Sequence, residues 1–373
     1  MRKALGRPPR RLEAIARGRR DRRRHAAIAA TAPARDRVAV FYGHDRIPAP
    51  DEPVHGGTVK LQHLQGAFPN APRSFNVLYL GSSNRPHDSG ELLRLARARQ
   101  AAIVVNQDGV AYAGWHGPGW ERANQPLAEL VQAADHVVFQ SAFCKASSDR
   151  FLGPREGGWE ILHNPVDTDR FAPGDRVERP LTLLLGGNQY QRYRFEGALE
   201  AFELVLDARP GACLLVSGRI SWDPDRRKAE REARELLAAS PASARVELVG
   251  TFTQLEAPSL YRRADLLVHT KYNDPCPTVV LEAMACGLPV VYSSSGGTPE
   301  LVGPDAGVGI PAPLDWEQDH PPDPAVLAAA VLEAAWRREE LGAAARARAV
   351  ERFDVRPWIE RHRVLFEELA RSR

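Results

Sequence analysis

A chain of 373 residues, 43% hydrophobic and 26% charged, has the length for two domains and the composition of an ordinary globular protein. No stretch approaches the roughly 20 consecutive apolar residues of a membrane span. The four cysteines (Cys144, Cys213, Cys276, Cys286) form no CxxC pair, which argues against a zinc site or a disulfide framework.

The net charge of +3 divides unevenly: residues 1–37 carry 13 Lys/Arg against 3 Asp/Glu, so the remainder is acidic. The basic segment, densest over residues 17–24, reads as a disordered tail over 1–36, because like charges repel and little apolar surface can order them. Its functional reading is peripheral contact with an anionic membrane. Leu12 and Ile15 form too thin an apolar face for insertion. Residues 26–34 are too short and alanine-rich for a signal peptide, and an acidic remainder speaks against nucleic acid. Scattered cysteines suit a reduced, cytoplasmic compartment.

Apolar runs at residues 38–42, 77–80, 103–105 and 137–139 predict strands, and amphipathic stretches at 91–99 and 126–134 predict helices. His55-Gly56-Gly57-Thr58 opens a further helix after the first strand. Strands apolar throughout, separated by helices, argue for a parallel sheet covered on both faces. The pattern pauses around His163-Asn164-Pro165-Val166-Asp167 and restarts, with strands at 181–185, 213–216, 246–249, 266–268 and 289–292. Helices are expected between them at 195–206, 223–239, near Leu260 and at 279–286. A last helix over 357–370 carries Trp358, Val364, Leu365, Phe366 and Leu369, a face that needs a packing partner. The expected class is α/β, with two doubly wound Rossmann-like domains facing a central cleft. The divisions are a basic tail over 1–36, a first domain over 37–170, a second over 171–350, and a helix over 351–373 returning to the first.

Chemistry concentrates between Asp274 and Leu301. Asp274 and two prolines sit in a loop after a strand, and Thr278 and Val279 then open a helix whose first amides are free donors suited to a diphosphate. Glu282, one turn further in among apolar neighbours, is placed to accept hydrogen bonds from a ribose diol. Gly296-Gly297 permits close backbone approach at the next strand end. In the first half, Gln107 and Asp108 follow the third strand and face the cleft. Asp108 either orients or deprotonates a hydroxyl, or makes the turn before Gly109. Trp115 can stack on a sugar ring or anchor its own loop.

This segment resembles the nucleotide-sugar site of GT-B glycosyltransferases, in particular the retaining family 4. The resemblance rests on two acidic residues separated by seven, Asp274 and Glu282, followed by the helix and strand EAMACGLPVV from Glu282. Asn164-Pro165-Val166-Asp167-Thr168-Asp169-Arg170-Phe171 resembles that family's junction between domains, and His55-Gly56-Gly57 its glycine loop on the acceptor side. The resemblance implies that Glu282 binds the ribose and that Asp274, one methylene shorter than the usual glutamate, contacts the donor sugar. It also implies a basic pair after the first strand of the second domain. Gly187 and Tyr193 stand at those places, so Arg192 foremost, and Arg194, are the expected substitutes, with Asn188 in the same loop.

The catalytic expectation is therefore Asp274, Arg192 and Asp108. Donor binding falls to Glu282, Arg194, Asn188, Thr278, Val279, Gly296 and Gly297, and the acceptor side to Gly56, Gly57, Gln107 and Trp115. By resemblance the reaction moves a sugar from a nucleotide-sugar donor to a hydroxyl of a glycan, lipid-linked or small-molecule acceptor, with retention and without a metal or other cofactor. Asp167-Thr168-Asp169 imitates a metal-binding DxD but falls in the linker, and His44, His55 and His63 are spaced too irregularly for zinc. No GxGxxG follows the first strand, against a nicotinamide enzyme. Two rivals remain: a GT-B-like nucleotide-sugar epimerase, which should lack the donor helix, and a non-catalytic nucleotide-binding scaffold, which the departures at Gly187 and Tyr193 would suit. Release of nucleoside diphosphate in the presence of acceptor separates enzyme from scaffold.

Overall fold

The computed structural model describes residues 10–175 and 178–373, with side chains of the first helix from Arg17 onward. The first half runs α1 (Arg10–Ala30), β1 (Val40–Phe41), α2 (Gly56–Ala67), β2 (Val77–Gly81), α3 (Ser89–Ala98), β3 (Ala102–Gln107), the short α4 (Ala113–His116), α5 (Trp120–Ala133), β4 (His136–Phe139), α6 (Ala142–Leu152) and β5 (Gly158–Ile161). Its five strands are all parallel and lie side by side in chain order. Side chains alternate across the pleat. Leu78, Leu80, Ile103 and Val105 therefore meet α3 and α5, while Val77, Tyr79 and Val104 meet α2 on the other face.

The second half runs β6 (Thr182–Leu185), α7 (Arg192–Ala208), β7 (Cys213–Ser217), α8 (Arg226–Ala239), β8 (Val246–Gly250), α9 (Ala257–Arg262), β9 (Leu266–His269), α10 (Thr278–Ala285), β10 (Val290–Ser294), α11 (Thr298–Val302) and β11 (Gly307–Pro311). α12 (Pro324–Trp336), α13 (Arg338–Phe353) and α14 (Val355–Arg371) complete the chain. The six parallel strands are ordered β11-β10-β9-β6-β7-β8. The order reverses between β6 and β9, and a crevice opens at the carboxyl ends of strands where such a reversal occurs.

Several links join the halves, three of them away from the cleft floor. The linker pairs with the α13–α14 corner, Val166 N donating to Phe353 O at 2.8 Å and Val355 N to Val166 O at 3.0 Å. Beyond that corner α14 docks on the first sheet, where Trp358, Leu365 and Phe366 complete a core with Val40, Tyr79 and Leu64. After β11, Trp316 stacks on Phe143 at 5.3 Å and meets Tyr112 and Phe151 edge-on, while its carbonyl accepts from Gly114 N at 2.8 Å.

Two expectations are corrected. The basic segment is not a disordered tail throughout. α1 packs on α3 through buried Ile28, Arg24 and His25 both pair with Asp88, and Asp21 lies 2.9 Å from His87. Asp88, more than 60 residues away, offsets part of the repulsion along α1. Residues 1–9 and the side chains of Leu12 and Ile15 lie outside the described residues. The helix expected from Pro126 begins at Trp120, after Gly119 in the left-handed region, because Trp120 packs on Phe151 at 5.3 Å.

Phe366 is fully buried, with its ring 5.2 Å from Phe68 and 5.8 Å from Tyr79. Phe366→Ala is expected to lower the free energy of unfolding by about 3–5 kcal/mol in urea denaturation. A loss under about 1 kcal/mol would show that α14 does not complete the first domain's core.

Candidate functional site

Loops at the carboxyl ends of both sheets line a cleft of about 740 Å³. The first domain contributes residues 55–60, 82–83, 108–112 and Trp115, and the second residues 186–188, 218–219, 271–279 and Glu282. The halves touch within it. A side chain on Gly56 would come 3.1 Å from Thr278 Oγ1, and Trp115 lies edge-on to Tyr190 and 5.1 Å from the Lys271 ammonium.

The loop between β9 and α10 forms a floor of the cleft. Asp274 is buried, its carboxylate 3.2 Å from both His269 Nε2 and Lys271 Nζ. Burial alone would raise its pKa, yet Lys271 and His269 hold the carboxyl well below the usual range. It is ionised at any working pH. Burial lowers the pKa of His269, so the imidazole beside it tends to neutrality.

α10 then starts at Thr278 with no side chain capping it, which leaves first-turn amides facing the cleft at the positive end of the helix. Glu282 is 3% exposed and accepts hydrogen bonds from Gln254 Nε2 at 2.9 Å and the Tyr261 hydroxyl at 2.7 Å. Burial outweighs those two bonds and pushes its pKa up to about 7. Each carboxylate oxygen retains a lone pair for a further donor.

On the other wall, Lys60 is buried, donates to Asn106 Oδ1 at 2.7 Å and lies 3.7 Å from Asp108. Asp108 also accepts from the Ser82 hydroxyl. Burial opposes its charge, but Lys60 and the serines hold the carboxyl below its ordinary value. A carboxylate so stabilised is a weak base, which favours the orienting role over proton abstraction.

Asp274, Glu282, Thr278, Val279, Asn188, Arg194, Asp108, Gly56, Gly57 and Trp115 all line the cleft. Others are placed differently. Arg192 lies outside the lining, half-exposed at the start of α7 with Nε 2.8 Å from Glu196. Arg194 is 1% exposed and donates to Asn188 O and Gly186 O at 2.8 and 2.9 Å. Its guanidinium braces the loop after β6. Asn188 does likewise, accepting from Arg219 N at 2.8 Å. Gln107 is fully buried and donates to Gly109 O, outside the lining. Gly296 and Gly297 are outside it too, because they support the Asp274 loop from behind. A Cβ on Gly296 would lie 2.6 Å from Asn273 C, and one on Gly297 would overlap Pro275 O.

Four basic cleft residues were not foreseen: Lys60, Arg219, His269 and Lys271. Lys271 carries a local signal, three positions before Asp274, whereas the other three depend on which strands become neighbours.

Residues 166–319 match the family of glycosyl transferases group 1. The chain is 30% identical over 232 residues to D-inositol 3-phosphate glycosyltransferase of Mycobacterium bovis, covering 57% of this chain and 47% of the relative. It therefore spans about half the length of the curated relatives it matches. A solved structure of Anabaena Alr3699/HepE with UDP and glucose superposes with TM-score 0.63 at 17% identity, over 85% of this chain and 84% of that one. Sucrose-phosphate synthase from Thermosynechococcus elongatus gives 0.63 at 20% identity, over 81% and 75%. The fold is GT-B.

The raised pKa of Glu282 makes a prediction for the unliganded chain. Burial favours the neutral acid, so the group's contribution to stability is fully present below the ordinary value of 4.5 and is lost as pH rises through about 7. Relative to Glu282→Gln, the unaltered chain should lose about 3 kcal/mol of unfolding free energy between pH 4.5 and 8. Parallel pH profiles of the two proteins would show Glu282 to be freely solvated.

Proposed function

From a chain with the GT-B fold whose residues 166–319 match the group 1 glycosyl transferases, we propose a transferase that moves a sugar from a nucleoside-diphosphate sugar to an acceptor hydroxyl. The observation that carries this reading is the pair Asp274 and Glu282 flanking the uncapped start of α10, all on one cleft floor. Glu282 receives the ribose diol, the α10 amides receive the diphosphate, and the Asp274–Lys271 pair meets the donor sugar.

The acceptor enters against residues 55–58 and Asp108, with Trp115 over the sugar. The bond from the anomeric carbon breaks with its electron pair on the diphosphate oxygen, and the acceptor oxygen forms the new bond. The acceptor's proton passes to the departing diphosphate, since Lys60 and the serines lower the pKa of Asp108 and leave it a weak base. The reading includes retention at the anomeric carbon, with leaving-group charge met by helix amides and cleft cations. UDP heads the donors to be tried, because the Anabaena structure holds UDP and glucose.

The reading also includes contact with an anionic lipid surface, because Arg17, Arg19, Arg20, Arg22 and Arg23 remain exposed on α1. Vesicles rich in phosphatidylserine should retain the chain at low salt and release it at high salt. Equal retention by neutral vesicles would remove that part of the reading.

Calorimetry with UDP, GDP and ADP should show one of them binding, and Glu282→Ala should weaken that nucleotide by about 1.5–3 kcal/mol, the worth of hydrogen bonds to a charged group. Nucleoside diphosphate should accumulate when the matching sugar donor and an acceptor are supplied together. If none of the three nucleotides binds, the reading is wrong.

A further inference from the structure

We propose that Arg219 is a catalytic residue, the guanidinium that neutralises the departing diphosphate; this rests on the donor reading of the cleft given above. A leaving diphosphate needs a cation with donors to spare, and each of the other cations lining the cleft already makes polar contacts within the protein. Lys60 is held by Asn106 and Asp108, Arg194 by the carbonyls of Gly186 and Asn188, and Lys271 by Asp274 and the face of Trp115. Arg219 lines the same cleft and is exposed, and its side chain has no hydrogen bond or ion pair among the described residues.

The backbone explains why that side chain is available where the charge develops. β7 lies beside β6 in the sheet, so the turn after β7 meets the loop after β6. Gly218 has φ +85° and abuts Gly187 so closely that a Cβ would overlap Gly187 O. Arg219 is then pinned at both ends of its peptide, its N–H donating to Asn188 Oδ1 and its carbonyl accepting from Gln189 N, both at 2.8 Å. Gly187 itself faces Val279 in the first turn of α10, where an added Cβ would make ordinary van der Waals contact with the valine methyls. Across the cleft, His55 lines the same space and adjoins Gly56 and hence Thr278; burial lowers its pKa, and the charge of Arg219 adds in the same direction. Arg219 thus borders the space enclosed by the Gly187 loop, the amino end of α10 and the glycine loop of the first domain. A diphosphate placed there for in-line departure would meet helix amides on one side and a planar fork of donors on the other.

The test compares Arg219→Ala, Arg219→Lys and Arg192→Ala with the unaltered chain, using UDP, UMP and the UDP-sugar that is turned over, or the GDP or ADP set if that base is preferred. Removing Arg219 should reduce the preference for diphosphate over monophosphate by about 10- to 100-fold. It should lower kcat by about 100- to 1,000-fold, more than it raises KM, since the interaction strengthens as charge develops. Arg219→Lys should recover part of both, and Arg192→Ala should leave both unchanged. All the variants should melt as the unaltered chain does, because neither side chain is buried. If the unaltered chain binds a nucleoside diphosphate and Arg219→Ala keeps the same preference and turnover, the assignment of Arg219 is overturned while the donor reading stands. If the unaltered chain binds no nucleoside diphosphate, both fall.

Discussion

Three consecutive carbonyls hold this structure at its centre. Those of Asp274, Pro275 and Cys276 accept hydrogen bonds from Gly297 N at 2.9 Å, Ser141 Oγ at 2.7 Å and Asn164 Nδ2 at 2.9 Å. The donors come from the next strand's loop, from the first domain and from the linker. One short loop is therefore fixed from three directions, and it both aims the Asp274 carboxylate and sets the start of α10. The same loop marks where the domains meet. Glu300, at the far end of the glycine turn, caps α6 of the first domain through Ala142 N and Phe143 N.

Around that loop the chain buries more charge than a fold needs for stability alone. Lys60 with Asp108, and Lys271 and His269 with Asp274, are buried or nearly so beneath an open cleft. Desolvating such groups costs several kcal/mol each unless partners compensate, and partnered ions add little net stability over apolar packing. Their presence at the cleft floor fits a surface organised for a charged ligand. Glu282 differs in kind. It has two neutral donors and no cation, so its charge depends on what enters the cleft, and a ribose diol would stabilise the ionised form.

The α10 segment was legible because its chemistry is local: Asp274, Thr278 and Glu282 lie within nine residues, one in the loop and two in the helix that follows it. The alternation of apolar strands and amphipathic helices likewise made the parallel sheets legible. Arg219 was not, because its relation to Gly187 arises only when β7 settles beside β6. The sequence directed attention to Arg192 and Arg194 by position along the chain, but helical pairing drew one to Glu196 and burial turned the other toward loop carbonyls. Gly296 and Gly297 read as ligand-facing because glycines permit close approach. The approach is real, but the partner is the chain's own backbone. The order of α1 was hidden for a related reason, since Asp88 lies 64 residues from the arginine it neutralises.

The claim that this cleft floor is a nucleoside-diphosphate site is tested most directly by a crystal structure of the chain with its preferred nucleotide, found by titration of UDP, GDP and ADP. The account predicts ribose hydroxyls within hydrogen-bond distance of Glu282 and phosphate oxygens at the amides of Thr278 and Val279. A nucleotide seated elsewhere, with Glu282 still contacting only Gln254 and Tyr261, would contradict it.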